Sequence, residues 1–236
     1  YSVRGDRRDE RPPDVGPNNV WWDRYKPYAD YCRRISWMNA VGKQVCDIAI
    51  LATATRLPWR AARVLFEHQW DFNYLDGDTL LSKAQVSCDG IALGDVVYKT
   101  LIIDGAATVE PGVLEALQPL TAAGGVLVFK DAIDGIASAP LDAANLLTTL
   151  ASRVAPDLRL TPAHPDIRYR HVILEGCHLY FITNEGKETV ETGLQVAVAG
   201  KAVWWDPETP AILQDEPADK LRIEPYHSRV LVVGEA

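Results

Sequence analysis

The stretch Asp47-Ile-Ala-Ile-Leu-Ala-Thr53 decides the fold class of this chain. All the residues between its polar ends are apolar, which is typical of a strand buried on both faces of a sheet. Four further short apolar runs follow, at residues 71–75, 100–104, 126–129 and 158–160. We interpret the five runs as the strands of one buried sheet.

Helical patterns separate most of these runs, and they cover residues 58–69, 78–84, 111–124 and 141–154. Residues 86–98 instead indicate a β-hairpin with Asp89-Gly90 as its turn. Strands that alternate with helices predict a parallel sheet covered on both faces. The predicted fold class is therefore α/β over residues 46–163. We expect a flavodoxin-like, doubly wound parallel sheet, a Rossmann-like three-layer sandwich with the strand order 2-1-3-4-5.

A loop and a long helix precede this domain, in residues 1–45. The first 20 residues contain three prolines and many charges without periodicity, which indicates a loop. Residues 23–41 have apolar side chains at helical spacing, with Pro27 in the predicted first turn, where its missing N–H does little harm. These apolar positions are Tyr28, Tyr31, Ile35 and Met38. Gly42 is the expected end of the helix.

The pattern changes after the segment Thr161-Pro-Ala-His-Pro165. Short apolar runs now alternate with turn residues, which predicts a small antiparallel β-sandwich over residues 164–236. Its predicted strands are 167–174, 178–183, 194–198, 202–205, 221–223 and 230–233. Trp204 and Trp205 can form a sugar platform or pack in the core. Adjacent strand residues point to opposite faces, and we favour core packing.

The composition narrows the classes of partner. The 236 residues include 24 Lys and Arg against 32 Asp and Glu, a formal net charge of −8. This balance argues against nucleic acid as a partner, because phosphate binding needs clustered basic residues. No apolar run approaches the roughly 20 residues that span a bilayer, so we expect no membrane partner. Four cysteines without a CxxC pair argue against a zinc site.

The predicted strand ends lack the motifs of a nucleotide site or a catalytic nucleophile. The loop Thr53-Ala-Thr55-Arg-Leu-Pro58 has no glycine that would let the backbone wrap a phosphate. We expect Thr53 and Thr55 to form a turn and to cap the next helix. Lys130-Asp131 follows the strand at 126–129, where an amidotransferase-like fold would present its nucleophile. We therefore predict no catalytic residue and no cofactor in this chain.

The five histidines are dispersed along the sequence, at His68, His164, His171, His178 and His227. His171 and His178 can face each other across a hairpin, where a metal pair is conceivable. No third ligand has suitable spacing, so we expect ordinary surface histidines and no metal.

The order of these segments resembles that of bacterial glycoside hydrolases with a (β/α)8 catalytic barrel. The resemblance is to relatives of the family 42 β-galactosidases and of the family 106 α-L-rhamnosidases, and it extends over nearly the whole chain. The similar stretches include Arg11-Pro-Pro-Asp-Val-Gly-Pro-Asn-Asn-Val-Trp-Trp22, Asp47-Ile-Ala-Ile-Leu51, Asp71-Phe-Asn-Tyr-Leu-Asp76, Gly124-Gly-Val-Leu-Val-Phe129 and Trp205-Asp-Pro-Glu-Thr209.

The resemblance implies that the catalytic carboxylates lie on barrel strands upstream. This chain would then be the non-catalytic C-terminal region of an enzyme of carbohydrate metabolism in the bacterial cytoplasm or periplasm, used for packing or homo-oligomerisation. Residues 1–45 would be the last βα-loop and the last helix of the barrel, and such loops form the active-site face. Side chains of that loop would help to bind the sugar: Arg4, Arg7, Arg8, Asn18, Asn19, Trp21 and Trp22.

Other interpretations stay open. The N-terminal loop can instead be anchored by its own salt bridges, with Trp21 and Trp22 packed beneath it. The whole chain can be a stand-alone carbohydrate-binding or regulatory module, or a small α/β enzyme with an unrecognised site. Such an enzyme would need a concave, polar pocket containing titratable groups with perturbed pKa values.

Overall fold

The computed structural model describes residues 16–17, 19–136 and 139–234. In these ranges the helices are α1 (Trp22–Val41), α2 (Arg60–Glu67), α3 (Gly77–Lys83), α4 (Val113–Ala116), α5 (Gln118–Ala122) and α6 (Ala143–Arg153). The first eight strands are β1 (Lys43–Gln44), β2 (Ile48–Ala52), β3 (Asn73–Asp76), β4 (Gln85–Val86), β5 (Ile91–Leu93), β6 (Val96–Tyr98), β7 (Thr100–Ile103) and β8 (Val126–Val128). The remaining strands are β9 (Leu158–Thr161), β10 (Ile167–Leu174), β11 (Cys177–Asn184), β12 (Val190–Val196), β13 (Lys201–Asp206), β14 (Ala211–Leu213), β15 (Lys220–Ile223) and β16 (Ser228–Gly234). Among the helices of these ranges, none has both the length and the hydropathy of a membrane-spanning helix.

Helix α1 occupies the predicted segment with one difference at its start. It begins one residue earlier than expected, so Pro27 lies inside the helix and offers no N–H to the carbonyl of Asp23. At the other end, the N–H of Gly42 donates to the carbonyl of Met38, and the backbone leaves the helix. Met38 is the buried residue of α1, and it packs against Val172 and neighbouring apolar side chains of β10, β11 and β16.

Four of the five predicted strands form a parallel sheet with the order β3-β2-β7-β8. The prediction for the fifth strand is wrong, because β9 pairs antiparallel with β12. Leu158 and Leu160 of β9 are buried whereas Arg159 and Thr161 are exposed. Such alternation suits a sheet with one face in water, whereas a central parallel strand is apolar throughout.

The side chains of β2 point alternately into two apolar clusters, one on each face of the parallel sheet. Ala49 and Leu51 lie in the cluster that also contains side chains of α3, α4 and α5. Ile48 and Ile50 lie in the cluster that contains side chains of α2 and α6. Helices therefore cover both faces, which explains why the stretch 47–53 is an unbroken apolar run.

Two local predictions needed correction. Residues 86–98 belong to a three-stranded antiparallel sheet, β4-β5-β6, and not to a single hairpin. Asp89-Gly90 lies between its first two strands as predicted, and Gly94, with a φ of +59°, lies between the second and third. The helix predicted over 111–124 is divided into α4 and α5, because Pro119 at the start of α5 cannot donate a backbone hydrogen bond.

Two antiparallel sheets form the C-terminal part of the described chain. Their orders are β1-β10-β11-β16-β13-β14 and β15-β12-β9, and side chains from both share one apolar cluster. We call this pair of sheets the sandwich. Trp204 is buried in its core and donates from Nε1 to the carbonyl of Pro217 at 3.0 Å, so the predicted core packing of Trp204 is confirmed.

The chain crosses between the parallel sheet and the sandwich at two strands. β1 precedes the parallel sheet in sequence but pairs with β10. β9 follows the parallel sheet and pairs with β12. Both strands lie before residue 164, and the domain limits 1–45, 46–163 and 164–236 stay a prediction.

Candidate functional site

A cavity of about 320 Å³ lies where the amino-terminal edge of the parallel sheet meets one end of the sandwich, and we call it the junction pocket. Three of its polar residues, Asp47, Asp71 and Lys99, come shortly before β2, β3 and β7. Amino-terminal ends of parallel strands share one edge of a sheet, which brings these three together. The sandwich side contributes Asp157, His171 and His178.

The antiparallel register of β10 and β11 brings the two histidines into contact. His171 pairs with Tyr180 and Ile173 pairs with His178, so His171 and His178 are diagonal neighbours on one face. Nε2 of His171 lies 2.9 Å from Nδ1 of His178. The prediction of ordinary surface histidines is wrong for His171, which is 1% exposed. Among the described residues, no group of three His, Cys, Asp or Glu side chains is arranged to hold a metal ion.

Asp157 fixes the direction of the hydrogen bonds in this pair. Its carboxylate can only accept, so Nδ1–H of His171 donates to it, at 3.0 Å from each oxygen. When His171 is neutral, its Nε2 carries a lone pair and accepts from Nδ1–H of His178. Nε2 of His178, which has no hydrogen-bond partner among the described residues, is left as an acceptor. We call this chain the Asp157–His171–His178 relay.

Tyr180 supports the relay from the neighbouring strand position. Its hydroxyl donates to Oδ1 of Asp157 at 3.1 Å, and its ring stacks on His171 with centroids 4.0 Å apart. Burial raises the pKa of Tyr180, so the hydroxyl stays a donor. Burial and the adjacent imidazole of His171 lower the pKa of His178, which is therefore neutral at pH 7.

A second polar group of the junction pocket surrounds Asp71. Its Oδ2 accepts from Nε2 of Gln44 at 3.2 Å, and Oε1 of Gln44 accepts from Nη2 of Arg170, also at 3.2 Å. Burial raises the pKa of Asp71 to about 6. The junction pocket thus combines a carboxyl group whose pKa is raised to about 6 with the imidazole of His178, which is hydrogen-bonded to His171.

Ion pairs also line a cavity of about 540 Å³ at the opposite, carboxyl edge of the parallel sheet, where doubly wound folds bind their ligands. Nε of Arg60 donates to Oδ1 of Asp104 at 2.8 Å, and Nη2 of Arg60 donates to Asp131 at 3.0 Å. The second oxygen of Asp104 accepts from the backbone N–H of Ala61 at 3.0 Å. Asp104 and Asp131 are therefore engaged in contacts that stabilise the fold.

The loops at this edge match the sequence analysis only in part. Thr53 forms the predicted turn, in which its N–H donates to the carbonyl of Arg56 at 3.0 Å. The predicted helix cap is wrong, because Trp59 occupies the N-cap of α2 and makes no side-chain hydrogen bond there. Lys130 follows β8 with a φ of +71°, so a lysine occupies the strained turn where a nucleophile was considered.

Of the seven predicted sugar-site residues, Arg4, Arg7, Arg8 and Asn18 lie outside the described residues. The other three lie together at the start of α1. Oδ1 of Asn19 accepts from the N–H of Trp21 at 3.1 Å, and Trp22 stacks on Tyr25. The exposed fractions of Trp21 and Trp22 are 57% and 42%, so neither indole is packed within the described residues.

The sequence analysis missed Asp157, Gln44 and Tyr180. Their residue types carry no signal in the sequence. The pairing of strands brings Asp157 into the lining of the junction pocket, and it brings Gln44 and Tyr180 into contact with lining residues. The spacing of His171 and His178 around the turn Glu175-Gly176 was the one available signal, because a two-residue turn fixes the register of a hairpin.

No protein-family model and no curated protein matches the sequence. Solved structures do match it. A rhamnosidase from Novosphingobium sp. PP1Y superposes with a TM-score of 0.69 at 17% identity, covering 95% of this chain and 26% of that one. A β-galactosidase from Bacillus circulans sp. alkalophilus gives 0.53 at 12% identity, covering 82% of this chain and 42% of that one. A GH42 β-galactosidase from G. stearothermophilus gives 0.50 at 12% identity, covering 81% and 40%.

The chain therefore spans between about a quarter and two fifths of the length of the proteins it matches. At these identities the likeness concerns the fold. This chain has the fold of a portion of a rhamnosidase and of β-galactosidases, as the resemblance in its sequence predicted.

Proposed function

We propose that this chain is the non-catalytic C-terminal region of a glycoside hydrolase, and that α1 is the last helix of the catalytic barrel. The observation that carries the proposal is an exposed apolar patch at the end of α1. Trp37 and Val41, one turn apart on the same face of this 20-residue helix, are exposed at 52% and 58%, whereas its buried residue is Met38. Clustered exposed apolar side chains mark a surface that packs against another part of a protein.

The fraction of the matched rhamnosidase that this chain covers supports the same proposal. The rhamnosidase match uses 95% of this chain but 26% of the rhamnosidase, which leaves room in such a protein for a barrel. At the carboxyl edge of the parallel sheet, Arg60, Asp104 and Asp131 are bound to one another in ion pairs, which favours a structural role over catalysis for these three side chains.

We further propose the flavodoxin-like layout for the α/β part. The strand order β3-β2-β7-β8 and the helices on both faces support it. A homo-oligomer through this part is also proposed, because Leu57 and Trp59 are exposed beside its carboxyl edge, at 62% and 65%. Light scattering that shows a monomer of the longer protein would remove the oligomer from the proposal.

The proposal is tested by comparing this chain with a longer protein from the same gene that includes the upstream segment. We expect the longer protein to cleave an aryl-glycoside while this chain is inert. In backbone hydrogen exchange, α1 should exchange more slowly in the longer protein, because packing suppresses local opening. The β10–β11 hairpin is the internal control and should be equally protected in both.

Either of two results would contradict the proposal: cleavage by this chain alone, or exchange of α1 at the same rate in both proteins.

The loop before α1 is proposed to shape the sugar site of the longer protein. Arginine can hold hydroxyl or carboxylate groups through several donors at once. Replacing Arg4 or Arg7 with alanine should lower kcat/KM about tenfold, equivalent to about 1.4 kcal/mol of transition-state binding. The exposed Arg33 of α1 is a suitable control, because its ion pair is with Asp30 of the same helix. An unchanged kcat/KM in both variants would refute a role for this loop.

A further inference from the structure

We infer that the junction pocket binds one neutral monosaccharide in its ring form. The inference concerns this chain alone and does not depend on how α1 packs in a longer protein. Its basis is the complement of hydrogen-bonding groups, charges and apolar side chains around the junction pocket.

Carboxyl and imidazole side chains, which can accept hydrogen bonds, outnumber the donors Lys99, Trp70 and Tyr169 in the lining of the junction pocket. The relay leaves Nε2 of His178 as a lone pair, and Asp47, Asp71 and Asp157 contribute carboxyl oxygens. Lys99 is the lysine of the lining, and its Nζ already donates to Asp47 at 3.0 Å. A ligand that suits this lining brings several donors of its own, as the hydroxyl groups of a sugar do.

The charges favour a neutral ligand over an ion. Three carboxyl groups against one ammonium group disfavour an anion. A cation is disfavoured because the carboxylates already have partners. Asp47 is paired with Lys99, and Asp157 accepts from His171 and Tyr180. Asp71 accepts from Gln44, and its raised pKa keeps part of it uncharged near neutrality.

An apolar wall completes the lining. Trp70 contributes an indole, and Val154, Ala197 and Val198 contribute aliphatic surface. A sugar ring presents C–H groups on its faces and hydroxyl groups at its rim, so it can use both kinds of surface at once. The volume of about 320 Å³ is near the lower end of small-molecule sites, which holds one ring and not a longer oligosaccharide.

The test is an NMR titration of this chain at pH 7.5, followed through the histidine ring signals. The probes are galactose, rhamnose and glucose, with Tris as a cation and inorganic phosphate as an anion. We expect at least one sugar to shift the His178 signals in a saturable way, and neither ion to do so. Absence of a shift with all three sugars, or saturable binding of either ion at lower concentration, would overturn the inference.

A matched pair of variants assigns the site. His178→Phe keeps a ring of similar size and removes the acceptor, and it should weaken sugar affinity at least tenfold, about 1.4 kcal/mol. His227→Phe is the control, because His227 is exposed and lies outside the junction pocket. Equal affinity of the His178 and His227 variants would refute the assignment.

The unmodified chain gives a second measurement, in case the His178 variant does not fold. Protonation of His178 turns Nε2 from an acceptor into a donor, so affinity should fall as the pH is lowered and the ring signals of His178 report its protonation. Asp71 titrates in the same pocket, and Lys99, Asp47, Asp157 and His171 also face it. The fall should persist in Asp71→Asn, which separates the two groups. An affinity that is unchanged at a pH where the ring signals show His178 to be protonated would contradict the role of His178.

Discussion

Replacing Asp104 with alanine should lower the free energy of unfolding by about 3 kcal/mol, whereas replacing Asp131 with alanine should lower it by less than about 1 kcal/mol. Both carboxylates bind the same guanidinium group of Arg60, at 2.8 and 3.0 Å. They differ in burial: the Asp104 side chain is fully buried and the Asp131 side chain is 54% exposed. The two substitutions therefore compare a buried carboxylate, which also accepts from the N–H of Ala61, with an exposed one.

The larger loss has two sources. Without Asp104, the N–H of Ala61 at the start of α2 loses its acceptor in a buried place, and such a group costs about 1 to 3 kcal/mol. Arg60 also loses its buried partner, although its own exposure of about a third lets water replace part of that contact. The overall loss therefore falls at the lower end of the range for broken buried ion pairs, about 3 to 5 kcal/mol.

Urea denaturation of the two variants and the parent chain measures both losses. The slope with urea should be the same in all three, because the surface exposed on unfolding is unchanged. Similar losses of unfolding free energy for Asp104→Ala and Asp131→Ala would contradict the burial of Asp104 and would show that water reaches its carboxylate. An Asp104→Asn variant should lie between them, since an amide oxygen can still accept from Ala61.

The contribution of Asp71 to the stability of this chain should fall as the pH rises from about 4 to about 6, and Asp71→Asn should remove that part of the pH dependence. Burial raises the folded-state pKa of Asp71 from 3.8 to about 6. Between these values the folded chain holds a proton that the unfolded chain has released, so stability declines with rising pH. The full difference corresponds to up to about 3 kcal/mol, at 1.36 kcal/mol per tenfold change.

The measurement is urea denaturation at several pH values for the chain, for Asp71→Asn and for Asp215→Asn. Asp215 is exposed, so its variant should follow the parent chain at every pH. Asp71→Asn should differ from the parent by an amount that grows in its favour between pH 4 and pH 7. A constant offset from hydrogen bonding with Gln44 does not affect this slope. Parallel curves for Asp71→Asn and the parent would contradict the raised pKa.

The buried parallel strands could be predicted from the sequence because burial on both faces leaves a continuous apolar run, as in β2. The prediction of β9 as a fifth parallel strand failed for a different reason. Leu158 and Leu160 are apolar, but Arg159 between them marks a strand with one wet face. Strand length and apolar ends do not distinguish a strand buried on both faces from a strand with one exposed face. The alternation of apolar and polar residues within the strand does distinguish them.

Less of the candidate site could be predicted. The turn Glu175-Gly176 sets the pairing of Leu174 with Cys177, and counting back from it makes His171 and His178 diagonal neighbours. The contact between these two histidines could therefore be predicted from the sequence. Asp157 was not, because it follows α6 and reaches His171 only through the pairing of β9 with β12. Contacts of this kind depend on the arrangement of whole sheets, which local patterns do not specify.

The two crossings of the chain at β1 and β9 make the α/β part an insertion within the sandwich. Its entry point, Val45, and its exit point, Asp157, both line the junction pocket. The two attachments are edge strands of different sheets of the sandwich, β1 of the six-stranded sheet and β9 of the three-stranded sheet. A molecule bound in the junction pocket would therefore touch both points where the chain passes between the sandwich and the α/β part, and it would link these two parts of the chain there.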